Sequence, residues 1–227
     1  MSKIIDLLQH RQWVWQGSSQ VLKSSERIST GIPLLDTKLQ GGLPKQGMIE
    51  IQADSGIGEL QIWLSYLQQH PHLIVFINPP GSVNAHHFYH LGFDHKQLLI
   101  IKTDSAIDAL WAAEQCLKSS GCGNVLLWHN SLSISQAKRL QLASEQGTST
   151  LFLYRPVCEQ QFSLPVSLCL QLTGHPQGIA IQVKKQKGGW PQKSFILSLA
   201  DYWPQLVVKQ GEANNVAVFP MPIRYAK

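Results

Sequence analysis

The chain has 227 residues, 44% hydrophobic and 15% charged, with a formal net charge of +5. That length supports one well-buried domain with a small appendage, and no apolar run reaches the roughly 18 residues a membrane span needs. The mild positive charge permits acidic partners, but a strong nucleic-acid binder clusters its basic residues, and only "KKQKGGWPQK" does so.

Ile4, Leu7, Leu8 and Trp15 recur roughly once per helical turn, which predicts a short amphipathic helix over 3–15. Asp6, Gln9, His10 and Arg11 interrupt that stretch, so it does not read as a signal peptide. "GSSQVLKSSE" reads as a polar linker. "TGIPLLDTKL" predicts a turn and a short helix ending at the glycines of "QGGLPKQG". Then strands and helices alternate: "MIEIQA" strand, "GELQIWLSYLQQH" helix, "HLIVFINPP" strand, "VNAHHFYHLGF" helix, "LLIIKT" strand, "AIDALWAAEQCLKSS" helix, "NVLLWH" strand, "SISQAKRLQLASEQ" helix and "STLFLYRP" strand. Continuous apolar strands separated by amphipathic helices predict a parallel sheet covered on both faces. After Pro156, "VSLCLQLTG", "GIAIQVKKQK" and "SFILSLA" lack an intervening helix and read as antiparallel strands at the sheet edge. The expected division is 1–25 for the N-terminal helix and linker, 26–205 for an α/β domain, and 206–227 for a tail.

The segment "MIEIQADSGIGELQI" places a glycine turn between a strand and a helix, where a phosphate loop of the form G-x-x-x-x-G-K-[ST] belongs. Aligned on Gly58, Ala53 stands at the first glycine, Glu59 at the lysine and Leu60 at the hydroxyl position; Asp54, Ser55 and Gly56 fill the turn. A carboxylate facing a triphosphate repels it, and Leu60 cannot ligate Mg²⁺. The glycines then either make a plain tight turn or keep a weak anion site at the helix start.

The remaining side chains with chemical potential read more plainly. His70, His72, His86, His87 and His90 include an i, i+4 pair, His86 and His90, but lack an HExxH pattern or a nearby cysteine and read as surface histidines, so no metal is expected. Cys116, Cys122, Cys158 and Cys169 form no CxxC pair and read as free thiols in a reducing cytoplasm. Trp111 and Trp128 read as core; Trp13 and Trp15 read as anchors for the N-terminal helix or for a partner. Lys184, Lys185, Lys187 and Lys193 read either as a solvated turn or as an interface.

"ISTGIPLLDTKLQGGLPKQGMIEI", residues 28–51, resembles the start of the RecA-type ATPase core, and "KQKGGWPQK" resembles that family's lysine-bearing hairpin. The resemblance implies a RecA-like, P-loop-type α/β core. It places Asn78 and Pro80 of "FINPP" where a catalytic glutamate follows the second core strand, and His129 where an acidic residue ends the Walker-B strand. With Glu59 and Leu60 changed as well, it implies a pseudo-ATPase with no cofactor. Lys185 and Lys187 match hairpin lysines that reach a neighbouring subunit's nucleotide, so with Lys193 they are candidate interface residues, suited to capping a RecA filament. The interval "VCEQQFS" is short for the family's second DNA-binding loop, leaving at most weak DNA contact through phosphates.

A narrower likeness joins "WVWQGS", "SGIGELQIWL", "DALWAAEQCLKSSGCGNVLLW" and "AKRLQLASEQGTSTLFLYRP" to the ImuA family of translesion-synthesis accessory proteins. That likeness implies a non-catalytic SOS-response factor, with RecA, an inactive Y-family polymerase subunit and an error-prone polymerase as partners. Residues 60–156 also resemble the SulA family, which would make FtsZ the partner, division the target, and 76–99, with Asn78, Pro79, His87 and Phe88, the binding surface. A divergent DNA-dependent ATPase is the third alternative.

Overall fold

A computed structural model describes residues 27–69, 72–157, 163–189 and 192–204. The expected N-terminal helix with Trp13 and Trp15, the C-terminal tail, Cys158 and Trp190 lie outside these residues. In chain order the elements are β1 (Arg27–Ile28), α1 (Pro33–Lys38), β2 (Leu43–Pro44), β3 (Gly47–Gln52), a 3-10 turn (Gln61–Trp63), α2 (Leu64–Gln68), β4 (Leu73–Ile77), α3 (Ala85–His90), a 3-10 turn (His95–Gln97), β5 (Leu98–Ile101), α4 (Ala106–Lys118), β6 (Cys122–Trp128), α5 (Ile134–Gln146), β7 (Thr150–Arg155), β8 (Leu168–His175), β9 (Gly178–Gln186) and β10 (Phe195–Ser198).

Eight strands form one mixed, mostly parallel sheet in the order β10-β9-β8-β3-β7-β6-β4-β5; β1 and β2 make a separate antiparallel pair. The strands from β3 to β8 run parallel, and β9 and β10 are antiparallel. This corrects the expectation for "VSLCLQLTG". β8 pairs parallel with β3, Ile49 opposite Leu168, because the chain after β7 crosses back before entering the sheet. That crossover buries Leu164 and Val166 where a helix would otherwise lie, and a crossover of about a dozen residues is what a parallel pair requires.

Each face of the sheet has its own core. On one face α1, α2 and α3 cover Ile49, Ile51, Phe76, Leu126 and Phe152. Trp63 and Tyr66 pack their rings 5.9 and 5.8 Å from Phe152. Burying side chains of this size contributes about 1.5–3 kcal/mol each relative to exposure. On the other face α4 and α5 cover Met48, Val75, Ile77, Val125, Leu127 and Leu151. The two helices start where their sequences provide caps. Ser105 accepts from the Ile107 N–H at 3.2 Å, and Ser133 with Gln136 forms a capping box, each such cap adding about 1 kcal/mol.

The face of α4 turned to the sheet is Ala109, Ala112, Ala113 and Leu117. Trp111, expected in the core, is instead 63% exposed. Small residues let the helix approach the sheet closely, and the bulky ring turns outward. Trp128 does lean on the core, stacked against Tyr154 at 4.5 Å and 8°. The Thr-Gly and Leu-Asp of residues 30–36 also gain a physical reason: Asp36 Oδ1 accepts from both the Thr30 N–H and the Thr30 hydroxyl at 2.7 Å, closing the turn into α1.

Candidate functional site

Polar residues immediately after five strands converge on one cleft of about 620 Å³. Ala53, Asp54, Ser55 and Glu59 follow β3; Asn78 and Pro80 follow β4; Thr103 to Ala106 follow β5; Trp128 to Ser131 end and follow β6; Tyr154 to Pro156 end and follow β7. The carboxyl ends of parallel strands are where such sheets bind ligands. The structure therefore brings together Ala53, Asp54, Ser55, Glu59, Asn78, Pro80 and His129, which the sequence singles out from separate segments.

The glycine loop does not lead directly into a helix. Residues 53–60 are coil and turn, and α2 begins only at Leu64 after the 3-10 turn. The expected helix from Gly58 is thus late and short. Gly56 and Gly58 adopt φ of 95° and 91°, a region L-residues seldom enter, which is why glycines stand there. Glu59 turns back into its own loop. It is 7% exposed, and its carboxylate oxygens accept the Gly56 N–H at 3.0 and 3.3 Å. The protein's own anion takes up a backbone donor of the turn. Leu60 packs against the first core instead of facing the cleft.

The other expected positions are equally committed. Asn78, at φ 50°, clamps the segment after β5: its Nδ2 donates to Thr103 Oγ1 at 3.0 Å and its Oδ1 accepts the Thr103 N–H at 2.8 Å. Pro80 lines the cleft without a titratable group. The ordinary pKa of His129 is lowered, chiefly by burial and with a contribution from Arg155, while the backbone of Ala106 and Ser131 opposes the shift.

Charge decides what the cleft can hold. Among the described residues that line it, the one guanidinium, Arg155, is 5% exposed, and its Nη1 donates to Glu50 Oε1 at 2.9 Å. Gln52 Nε2 donates to the same oxygen at 3.0 Å. With Arg155 neutralised and His129 biased towards its neutral form, the lining carboxylates Asp54, Glu59 and Asp104 set the sign. Burial, with a smaller contribution from Glu59, pushes the Tyr154 hydroxyl well above the ordinary phenol range, so it stays protonated. Negative charge around a cleft repels a triphosphate.

Sequence reasoning missed Thr103, Asp104, Asn130, Tyr154 and Arg155. Their signal is position: "KTDS", "HNS" and "YRP" each place polar residues directly after an apolar strand.

The remaining candidate residues lie elsewhere. Phe88 is 4% exposed and packs edge-on against Phe76 and Phe93, so it is core and not an interface residue. His87 is exposed and Pro79 half-buried. His86 and His90 point their Nε2 atoms at each other, 2.9 Å apart; among the described residues no group of three or more His, Cys, Asp or Glu is placed to hold a metal. Cys116, Cys122 and Cys169 carry free thiols. The lysine hairpin exists as β9–β10, but Gln186 pairs with Leu168 at the start of β8, so the tip sits at the end of the sheet opposite the cleft. Lys185 is not a free cation there, since its Nζ donates to the Leu164 carbonyl at 2.7 Å. Lys187 and Lys193 are exposed.

No protein-family model matches the chain. RecA of Synechococcus sp. (strain CC9902) is 29% identical over 105 residues, 45% of this chain and 28% of that protein. RecA of Nostoc sp. (strain PCC 7120) is 30% identical over 105 residues, covering 45% and 29%. RecA of Helicobacter pylori (strain Shi470) is 31% identical over 115 residues, covering 49% and 33%. The matched region is thus about a third of the length of these relatives or less, and the chain bears a distant relationship to RecA proteins.

Proposed function

We propose that this chain is a RecA-like protein that does not turn over nucleotide and works by binding other proteins, as an accessory factor of error-prone translesion synthesis in the SOS response. One observation supports this reading: the carboxylate of Glu59, the residue that the motif alignment sets against the phosphate-binding lysine, accepts the Gly56 N–H at 3.0 Å. A phosphate brought to that turn would meet a fixed negative charge and a backbone donor already in use. Leu60, Pro80 and His129 supply neither a metal-binding hydroxyl nor a carboxylate base. The distant relationship to RecA supports a setting in DNA repair, and the ImuA-like segments support RecA, an inactive Y-family polymerase subunit and an error-prone polymerase as partners.

The test is affinity capture of the tagged chain from DNA-damaged cells, with RecA, the Y-family subunit and FtsZ each quantified, alongside phosphate release by the purified chain with single-stranded DNA. The proposal expects RecA or the polymerase subunit to be retained and no DNA-stimulated turnover. Retention of FtsZ alone would support the SulA-like reading, and turnover abolished by Gly58→Ala would support a divergent ATPase; either result overturns the proposal.

A further inference from the structure

The positive charge of this protein is concentrated at the end of the sheet opposite the cleft. Segments 27–45 and 178–198 carry Arg27, Lys38, Lys45, Lys184, Lys185, Lys187 and Lys193 against a single acidic residue, Asp36. Seven positive charges less one leave +6 in those two segments; the whole chain is +5, so everything else sums to −1.

The fold builds these segments into one surface. The hairpin is fastened to α1 by two amide side chains: Gln186 Nε2 donates to the Leu39 carbonyl at 2.9 Å, and Gln192 Nε2 to the Lys38 carbonyl at 2.8 Å. Arg27 joins β1 to both neighbours, its Nη1 donating to the Gly42 carbonyl at 3.0 Å and its Nη2 reaching the Lys187 carbonyl at 3.5 Å. Lys38 Nζ sits 5.6 Å from the centre of the Phe195 ring, which carries its stem across the joint. Arg27 and Lys185 thus serve mainly to hold the surface together. Lys184, Lys187 and Lys193 are exposed and Lys38 is half-buried.

We propose that this basic end binds the phosphodiester backbone of nucleic acid. The residues that dominate protein–protein binding are enriched in aromatic and arginine anchors. Among the described residues of these segments the only aromatic ring, Phe195, lies beneath Lys38, and the arginine is committed to carbonyls. The surface offers separated point charges on flexible stems. That is sufficient for a polyphosphate chain, whose binding draws on counterion release and not on shape. The site is independent of the cleft, so its failure would leave the reading of the cleft untouched.

The experiment is fluorescence anisotropy of a labelled 30-nucleotide oligo(dT) with the full chain between 50 and 200 mM salt. Single-stranded binding loses about 0.7 in the logarithmic salt slope per phosphate neutralised. Four available lysines predict a slope of about −2.8 and about a fiftyfold loss of affinity across that range. Lys187→Gln with Lys193→Gln should flatten the slope by about 1.4. Lys96→Gln with Lys138→Gln, two exposed lysines on other elements, changes the net charge equally and should leave the slope unaltered. Duplex and RNA 30-mers run in parallel identify which nucleic acid is preferred. The proposal is overturned by absence of binding at 50 mM salt, by equal weakening in the two double variants, or by a labelled polyglutamate peptide binding more tightly than every nucleic acid tested.

Discussion

Replacing Glu50 by Gln should destabilise this protein more than almost any other single-atom change. Glu50 and Arg155 are each 4% exposed at the side chain and meet at 2.9 Å. At that distance and an effective dielectric of about 20, the attraction is about 6 kcal/mol before desolvation is subtracted. Removing one member of a buried pair leaves the other charged and uncompensated, at a cost of about 3–5 kcal/mol. Arg155 has no second carboxylate bonded to it among the described residues, and its Nε lacks a hydrogen-bond partner, so no relief is at hand. Exchanging both for apolar residues, Glu50→Leu with Arg155→Met, should recover most of the loss and lie within about 2 kcal/mol of the parent, because the desolvation cost disappears with the charges. Urea unfolding followed by circular dichroism measures all three. A loss below about 1 kcal/mol for Glu50→Gln, the range of an exposed pair, would show that water reaches the two side chains, and Arg155 would then have to be counted as a cation available to a ligand.

Gly58→Ala should cost about 1–3 kcal/mol through its φ of 91° alone, since the added Cβ would sit 3.6 Å from Ile179 Cδ1 in ordinary contact; an unchanged thermal midpoint would contradict this. Trp111→Ala should change stability by less than about 0.5 kcal/mol, whereas Trp63→Ala should cost about 3–5 kcal/mol, and denaturant midpoints separate the exposed ring from the buried one. Burial raises the Tyr66 hydroxyl from 10.0 to about 12. An acid raised on folding stabilises fully below its unfolded value and loses that contribution as pH rises from about 10 through about 12, so Tyr66→Phe should flatten the alkaline fall in stability. His129 shifts the other way: a base lowered from 6.5 on folding contributes nothing above that value and destabilises as pH falls below it. His129→Asn should therefore lessen the loss of stability as pH falls below 6.5, and an identical acid limb in the variant would contradict the lowered pKa of this half-buried ring.

The sheet was legible because its inner strands, such as Leu73–Ile77 and Thr150–Arg155, are continuous apolar runs with no competing pattern. Strand direction is not written in that pattern, and the sequence between β7 and β8 has no helical periodicity to mark β8 as parallel. Trp111 was misread because hydrophobic character stood in for geometry: the stripe that faces the sheet is alanine, and alanine gives little signal. Phe88 lies on a six-residue helix, too short for periodicity to show which face Phe76 and Phe93 would claim. The departure of residues 53–60 from a phosphate-loop pattern could be seen in the residue types, but the use Glu59 makes of Gly56 could not. That depends on two left-handed glycines folding the chain back on itself and delaying the helix by several residues. The cleft was half legible. Its members after β3, β4 and β6 were named through motif positions, while those after β5 and β7 needed the sheet order to bring them alongside.

The central claim is that the carboxylate of Glu59 occupies the turn where a nucleotide phosphate would bind. Titration of the purified full chain with ATP and Mg²⁺ in a calorimeter, beside Glu59→Gln and Glu59→Lys, tests it most directly. The account predicts no detectable heat at millimolar ATP for the parent, and affinity that appears or rises in the order Gln then Lys as the negative charge is removed and then reversed. Binding of ATP by the parent at micromolar concentration, weakened by Glu59→Lys, would contradict it.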